Sequence, residues 1–140
     1  MTNTKNEKCP YIKGSNLRVD LMITHVSKKK IFLVDMKCPM DTKQNFEMAN
    51  NSNLEKYSNL KKKLQFIFKD HTVELYTLII GSLGTVSSNA SNILLKIGIP
   101  ESDVDNLLRF CAISNIEFSS KIWHYHHSGN LVQFDVKSNI

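Results

Sequence analysis

The chain has 140 residues, 41% of them apolar, enough for one domain built around a single core. Eighteen basic against thirteen acidic side chains leave a net charge of +5, which favours a polyanionic partner, with both signs mixed along the chain. Cys9, Cys38 and Cys111 lie far apart with no C-x-x-C pair, so neither a disulfide framework nor a zinc ribbon is indicated. The longest apolar run, around Leu78-Ile79-Ile80, is too short for a bilayer, and the polar start is no signal peptide. The expectation is a soluble, intracellular domain in a reducing compartment, with no membrane partner.

Residues 1–16 are polar, broken by Pro10 and Gly14, and read as an N-terminal arm or the remnant of an upstream region; the domain proper is expected over 17–140. Over 17–26, Val19, Leu21 and Ile23 alternate with Arg18, Asp20, Met22 and Thr24, the pattern of a half-buried strand. Ser27-Lys28-Lys29 turns the chain, and 31–37 reads as a central strand, apolar on both faces until Asp35. So short a turn makes the pair antiparallel. Side chains alternate along a strand, so Asp35 and Lys37 project together and Met36 is expected to point into the core.

Pro39 and Asp41 end that strand. From Thr42, apolar residues at Phe46, Ala49, Tyr57, Leu60, Leu64 and Ile67 recur at helical spacing and predict a long amphipathic helix to about Lys69. Asn50-Asn51-Ser52-Asn53 is a poor helical stretch, where a kink is expected. A strand over 73–80 ends at Gly81-Ser82-Leu83-Gly84, whose glycines turn the chain and lack the lysine of a phosphate-binding loop. Further helices are predicted over 88–97, over 101–112 and from about Ser114 through Trp123. Pro100, Glu101 and Asp103 suit the start of the middle one. The class is α/β, a mixed sheet flanked by helices.

A carboxylate and an ammonium leaving a buried strand together are costly unless they meet water, a metal or each other. Asp20 and Asp35 on adjacent strands, with the backbone carbonyl of Met36, make a sufficient oxygen set for Mg²⁺ or Mn²⁺. Lys37, on the face of Asp35, is placed to contact a scissile phosphate and an attacking water, which together suit phosphodiester hydrolysis. The plain alternative is a surface ion pair at a strand end.

Other features admit two readings. Lys28-Lys29-Lys30 and Lys61-Lys62-Lys63 either grip phosphates or form solvated faces. Arg18 either bridges to a carboxylate or touches a substrate strand. Trp123 to His127 reads as a surface segment anchored by Trp123, in preference to a metal site at His124, His126 and His127. Tyr57 reads as a core-facing residue with its hydroxyl at the site edge, and Cys38 as a small apolar residue.

At these same residues the chain resembles the restriction-like endonuclease domain of R2-type non-LTR retrotransposons, a branch of the PD-(D/E)xK nuclease superfamily. The family's R-P-D element is similar to Arg18-Val19-Asp20, and its D-V-T-V-P strand end to Asp35-Met36-Lys37-Cys38-Pro39, with matching spacing. Its helical K-x-x-K-Y is matched in part by Asn53-Leu54-Glu55-Lys56-Tyr57 with Leu60 beyond, and its G-x-L-G by Gly81 to Gly84. Ser119-Ser120-Lys121-Ile122-Trp123 resembles the closing serine helix and I-W pair. Val19 replaces the family's proline. Asn53 stands where the family carries a helical lysine, and Lys37 where many members have threonine, so the ammonium returns to the strand.

The resemblance implies a PD-(D/E)xK restriction-endonuclease-like core and a metal-dependent DNA endonuclease that nicks its target for target-primed reverse transcription. It implies catalysis by Asp20, Asp35, Lys37 and Tyr57, metal ligation by Asp20, Asp35 and the Met36 carbonyl, and DNA contacts from Arg18, Asn53, Lys56, Lys61 and Lys62. Double-stranded DNA is the implied target, in the nucleus, and a reverse transcriptase and zinc knuckle the implied upstream neighbours. Only about fifteen polar residues stand where the superfamily has a helix and strand, so an excised or domesticated C-terminal domain is expected. The same features fit a catalytically silent DNA-binding or assembly module, or a junction-resolving or repair nuclease of the superfamily.

Overall fold

The computed structural model describes residues 4–6 and 16–129. Four strands and three helices follow one another as β1 (Thr4–Asn6), β2 (Leu21–His25), β3 (Lys30–Lys37), α1 (Lys43–Ile67), β4 (Thr72–Ile79), α2 (Ala90–Ile97) and α3 (Glu101–Ser128). The sheet order is β1-β2-β3-β4, with β1 and β2 antiparallel, β2 and β3 antiparallel, and β3 and β4 parallel. A parallel pair needs a crossover, and α1 supplies it. The mixed sheet flanked by helices agrees with the class expected from sequence. Thr4–Asn6, within the segment expected as an arm, is an edge strand beside β2.

Alternation along the strands divides the core in two. Met22, Ile31, Leu33 and Val73 meet Tyr57, Leu60 and Leu64 of α1 on one face. Ile23, Phe32, Val34, Leu78 and Ile80 meet α2 and the first turns of α3 on the other. β2 was expected to be half-buried, yet Met22 and Ile23 are both buried, because β1 and β3 flank it and helices cover both faces. At the end of β2, the His25 ring nitrogen Nε2 lies 3.2 Å from the Ile97 carbonyl oxygen and ties down the C-terminus of α2. Gly98, at φ +104°, ends that helix in the left-handed region.

Two helix boundaries differ from expectation. Thr42 caps α1, its hydroxyl accepting from the Asn45 N–H at 3.1 Å, and the helix then runs unbroken through Asn50 to Asn53. Packing of Asn53, Tyr57, Leu60 and Leu64 against the sheet outweighs the weak propensity of the asparagines. The two helices expected between Glu101 and the Trp123 region form one, α3. No glycine or proline interrupts it, and its Asn115 and Ser119 side chains donate to the Ile80 and Ser82 carbonyls, fixing it against the segment after β4. No described helix is long and apolar enough to cross a membrane.

Candidate active site

The carboxyl ends of β3 and β4 lie side by side, with Asp35 paired to Thr77 and Lys37 to Ile79. Odd-numbered positions of both strands face α1, so Asp35 and Thr77 project beneath that helix. Asp35 is only 4% exposed. Its Oδ2 forms an ion pair with Lys37 Nζ at 3.3 Å, while Oδ1 lies 3.4 Å from the Tyr57 hydroxyl. That hydroxyl has one proton and a nearer acceptor, the Arg18 carbonyl at 2.9 Å. Tyr57 therefore ties α1 to the segment before β2, with its hydroxyl oxygen beside the end of β3.

Asp20 sits at a bend just ahead of β2. Leu21 pairs with Val34, so the antiparallel register carried one place further sets Asp20 across from Asp35. The Asp20 Oδ2 accepts the Met36 N–H at 2.8 Å, which holds this exposed carboxylate at the strand end. Two acids and one ammonium, Asp20 from the bend before β2 and Asp35 and Lys37 from β3, thus lie at one end of the sheet.

One turn before Tyr57, Asn53 is 1% exposed and donates from Nδ2 to Thr77 Oγ1 at 2.9 Å. Asp35, Asn53, Tyr57 and Thr77 form a buried polar quartet between sheet and helix. Asn53 Oδ1 has no hydrogen bond, and Asp35 Oδ2 has none beyond its ion pair with Lys37. Buried acceptors are normally satisfied, so oxygens left this way suit a donor or a cation. Thr77 was missed from sequence; its signal was a small hydroxyl inside the β-branched and aromatic run of β4.

The remaining expected site residues fall around this centre. Lys56 is exposed, its ammonium 4.9 Å from the centre of the Tyr57 ring. Lys61 and Lys62 are exposed on α1, and Lys61 lies one turn beyond Tyr57. Arg18 is exposed, and among the described residues the ion pairs are Lys37 with Asp35 and Lys30 with Glu74, so it bridges to no carboxylate. Asn53, expected at DNA, instead lies behind Asp35, because its side chain is buried against β4.

Three other expectations are corrected. Met36 does not point into the core: it is 48% exposed, although Leu78 beside it on β4 is buried. Trp123 is not a buried anchor: it is 57% exposed and stacks on His127 with ring centres 3.9 Å apart, and His124, His126 and His127 are exposed along the end of α3. Cys38 is also exposed, and burial of its thiol followed by the nearby Asp41 charge raises its pKa, away from nucleophilic use.

Asp41 explains the glycines after β4. Its carboxylate accepts the N–H groups of Leu83 and Thr85, both at 2.8 Å. A Cβ at Gly81 would overlap that carboxylate, and Gly84 turns at φ +92°. Burial pushes the Asp41 carboxyl up, but hydrogen bonds from Thr85, Leu83 and Ser82 outweigh it and hold it below its ordinary value of 3.8. A cavity of about 490 Å³ opens beside this loop, lined in part by Asp41, Lys43, Asn50, Ile79 and Ser87.

No family model and no curated protein matches the chain. Among the described residues, no group of three or more His, Cys, Asp or Glu side chains converges. Two carboxylates with backbone or amide oxygens are what this site offers to a hard cation, which completes its shell with water. Asp35 Oδ2, beside the Lys37 ammonium, and Asn53 Oδ1, which has no hydrogen bond, are of the oxygen type that donor set needs.

Proposed function

We propose that this domain is a Mg²⁺- or Mn²⁺-dependent DNA endonuclease with a PD-(D/E)xK core that nicks one strand of a duplex. The observation that carries the reading is the 96%-buried Asp35, ion-paired to Lys37 at 3.3 Å, with Asp20 held beside it on the Met36 N–H. Asp20, Asp35 and the Met36 carbonyl would hold the cation, which when bound supplies charge neutralisation at the phosphate and a more acidic water.

The chain's own residues do the rest. Asp35 lies with Oδ1 beside the Tyr57 hydroxyl and Oδ2 facing Lys37. The Lys37 ammonium is part-exposed and offers proton donors to a phosphate oxygen and to the attacking water. Asn53 and Thr77 support Asp35 from beneath α1 and exclude water from that side. Exposed Arg18, Lys56, Lys61 and Lys62 supply phosphate contacts with salt-dependent affinity. On the resemblance to R2-type elements, the domain acts in the nucleus beside a reverse transcriptase and zinc knuckle of a parent polypeptide, where the nick primes reverse transcription.

Nicking of supercoiled plasmid tests the assignment. The protein should relax plasmid in Mg²⁺ or Mn²⁺ and not in EDTA, with Asp35→Ala and Lys37→Ala each reducing the rate at least about 100-fold. Activity that survives both changes removes the site. A second reading is supported by the small carboxylate count: a silent DNA-binding module would bind duplex in a salt-dependent manner with no metal requirement and no product.

A further inference from the structure

The cavity beside the Asp41 loop continues the seam between α1 and β4 away from the proposed catalytic residues. Asn50 stands about one helical turn before Asn53, and Ile79 lies two residues beyond Thr77, so the cavity begins about 5 to 7 Å along that seam from the Asn53–Thr77 contact. Ile79 is also the β4 partner of Lys37, one strand spacing away, about 4.8 Å. A polynucleotide with a phosphate at Lys37 therefore brings its adjacent nucleotide within reach of the cavity mouth.

The lining selects what enters. Phe46 and Asn50 are half-buried on the α1 wall, and Ile79 and Val86 close the other side. Among the described residues, no hydrogen bond, ion pair or ring contact engages the Phe46 ring, the Asn50 amide or the Lys43 ammonium. An aromatic face between aliphatic side chains is a stacking surface, and a free carboxamide carries both donor and acceptor, the combination that reads the edge of a nucleobase. Charge argues against a phosphate as the occupant. Asp41 and Glu47 against Lys43 leave the lining one unit negative, which suits a neutral ring. The volume of about 490 Å³ falls among sites that enclose a single small molecule, about 300–1,000 Å³.

We propose that this cavity takes one unpaired nucleobase from the strand being nicked, stacked on Phe46 and hydrogen-bonded by Asn50. The preferred substrate then carries an unpaired nucleotide beside the scissile phosphate, because extruding a base costs least where it already lacks a partner. The inference rests on the nuclease reading for the course of the strand past Lys37.

Anisotropy titrations of the 140-residue protein in EDTA, where binding is read without cutting, test it on duplexes of one sequence. One is fully paired, one carries a single bulged adenine, and one carries an abasic residue in place of that adenine. The wild type should bind the bulged-adenine duplex about tenfold more tightly than either of the others, the abasic one having the same flexibility without the base. Asn50→Ala and Phe46→Leu should each cut this preference to within about threefold and leave the affinity for paired duplex unchanged, with circular dichroism as the folding control. No binding, no preference, a preference shared by the abasic duplex, or one that either variant retains overturns the proposal. Nicking of the same duplexes in Mg²⁺ is scored separately. A base preference without nicking defeats the nuclease reading and upholds the pocket, whereas nicking without a base preference upholds that reading and overturns the pocket.

Discussion

Asn53 of α1 and Thr77 of β4 meet at 2.9 Å directly behind the strand position that carries Asp35. The contact couples helix and sheet in the one part of that interface where polar side chains replace aliphatic ones. Asn53→Ala should cost about 2 kcal/mol, from the cavity and from the lost donor. Thr77→Val should cost about 1 kcal/mol, since it keeps the volume and orphans the Asn53 amide. Urea denaturation of both single variants and the double should show coupling of about 1 kcal/mol.

The Lys37–Asp35 pair predicts an asymmetry. Lys37→Met leaves a buried carboxylate without its cation, at a cost of about 2 kcal/mol, less than for a fully buried pair because Lys37 is part-exposed. Asp35→Asn keeps the shape, frees Lys37 to turn to water and should cost under about 1 kcal/mol. Thermal unfolding with added Mn²⁺ provides a second check: the ion should stabilise Lys37→Met more than the wild type, and Asp35→Asn not at all.

Tyr57→Phe removes the hydroxyl between the Arg18 carbonyl and Asp35 and leaves the ring in the core. Stability should fall by about 1 kcal/mol. Plasmid nicking should fall about tenfold, through looser orientation of Asp35, while duplex affinity measured by anisotropy stays unchanged.

Asp41 predicts a pH dependence. Its folded pKa is depressed, so the stability it contributes is present above the ordinary value of 3.8 and is lost as pH falls through the lower folded value. Asp41→Asn should therefore be less stable than the wild type at pH 7, by about 1 kcal/mol, a modest figure for a carboxylate in contact with water. Denaturation midpoints of the two proteins should converge at acid pH, below about 3.

The positions of β2, β3 and β4, the antiparallel pairing of β2 with β3, and the ends of α1 and α2 were legible because they follow from period, turn length and breakers, all local properties. Asp35 and Lys37 were legible for the same reason: a two-residue period places both on one face. The half-buried β2, a break in α1 and the divided α3 were misjudged where packing overrode propensity. Nothing local announces that α1 covers Asn53, or that Asn115 and Ser119 fasten α3 past the place where a break was expected.

Residue identity and spacing alone were enough to nominate Asp20, Asp35, Lys37 and Tyr57. Folding added the partnerships: the Asp20 carboxylate on the Met36 N–H, the Tyr57 hydroxyl between Arg18 and Asp35, and Thr77 under Asn53. These contacts join residues 16 to 39 positions apart in the chain. Periodicity reports which face a side chain takes; only the packed layers decide what that face meets.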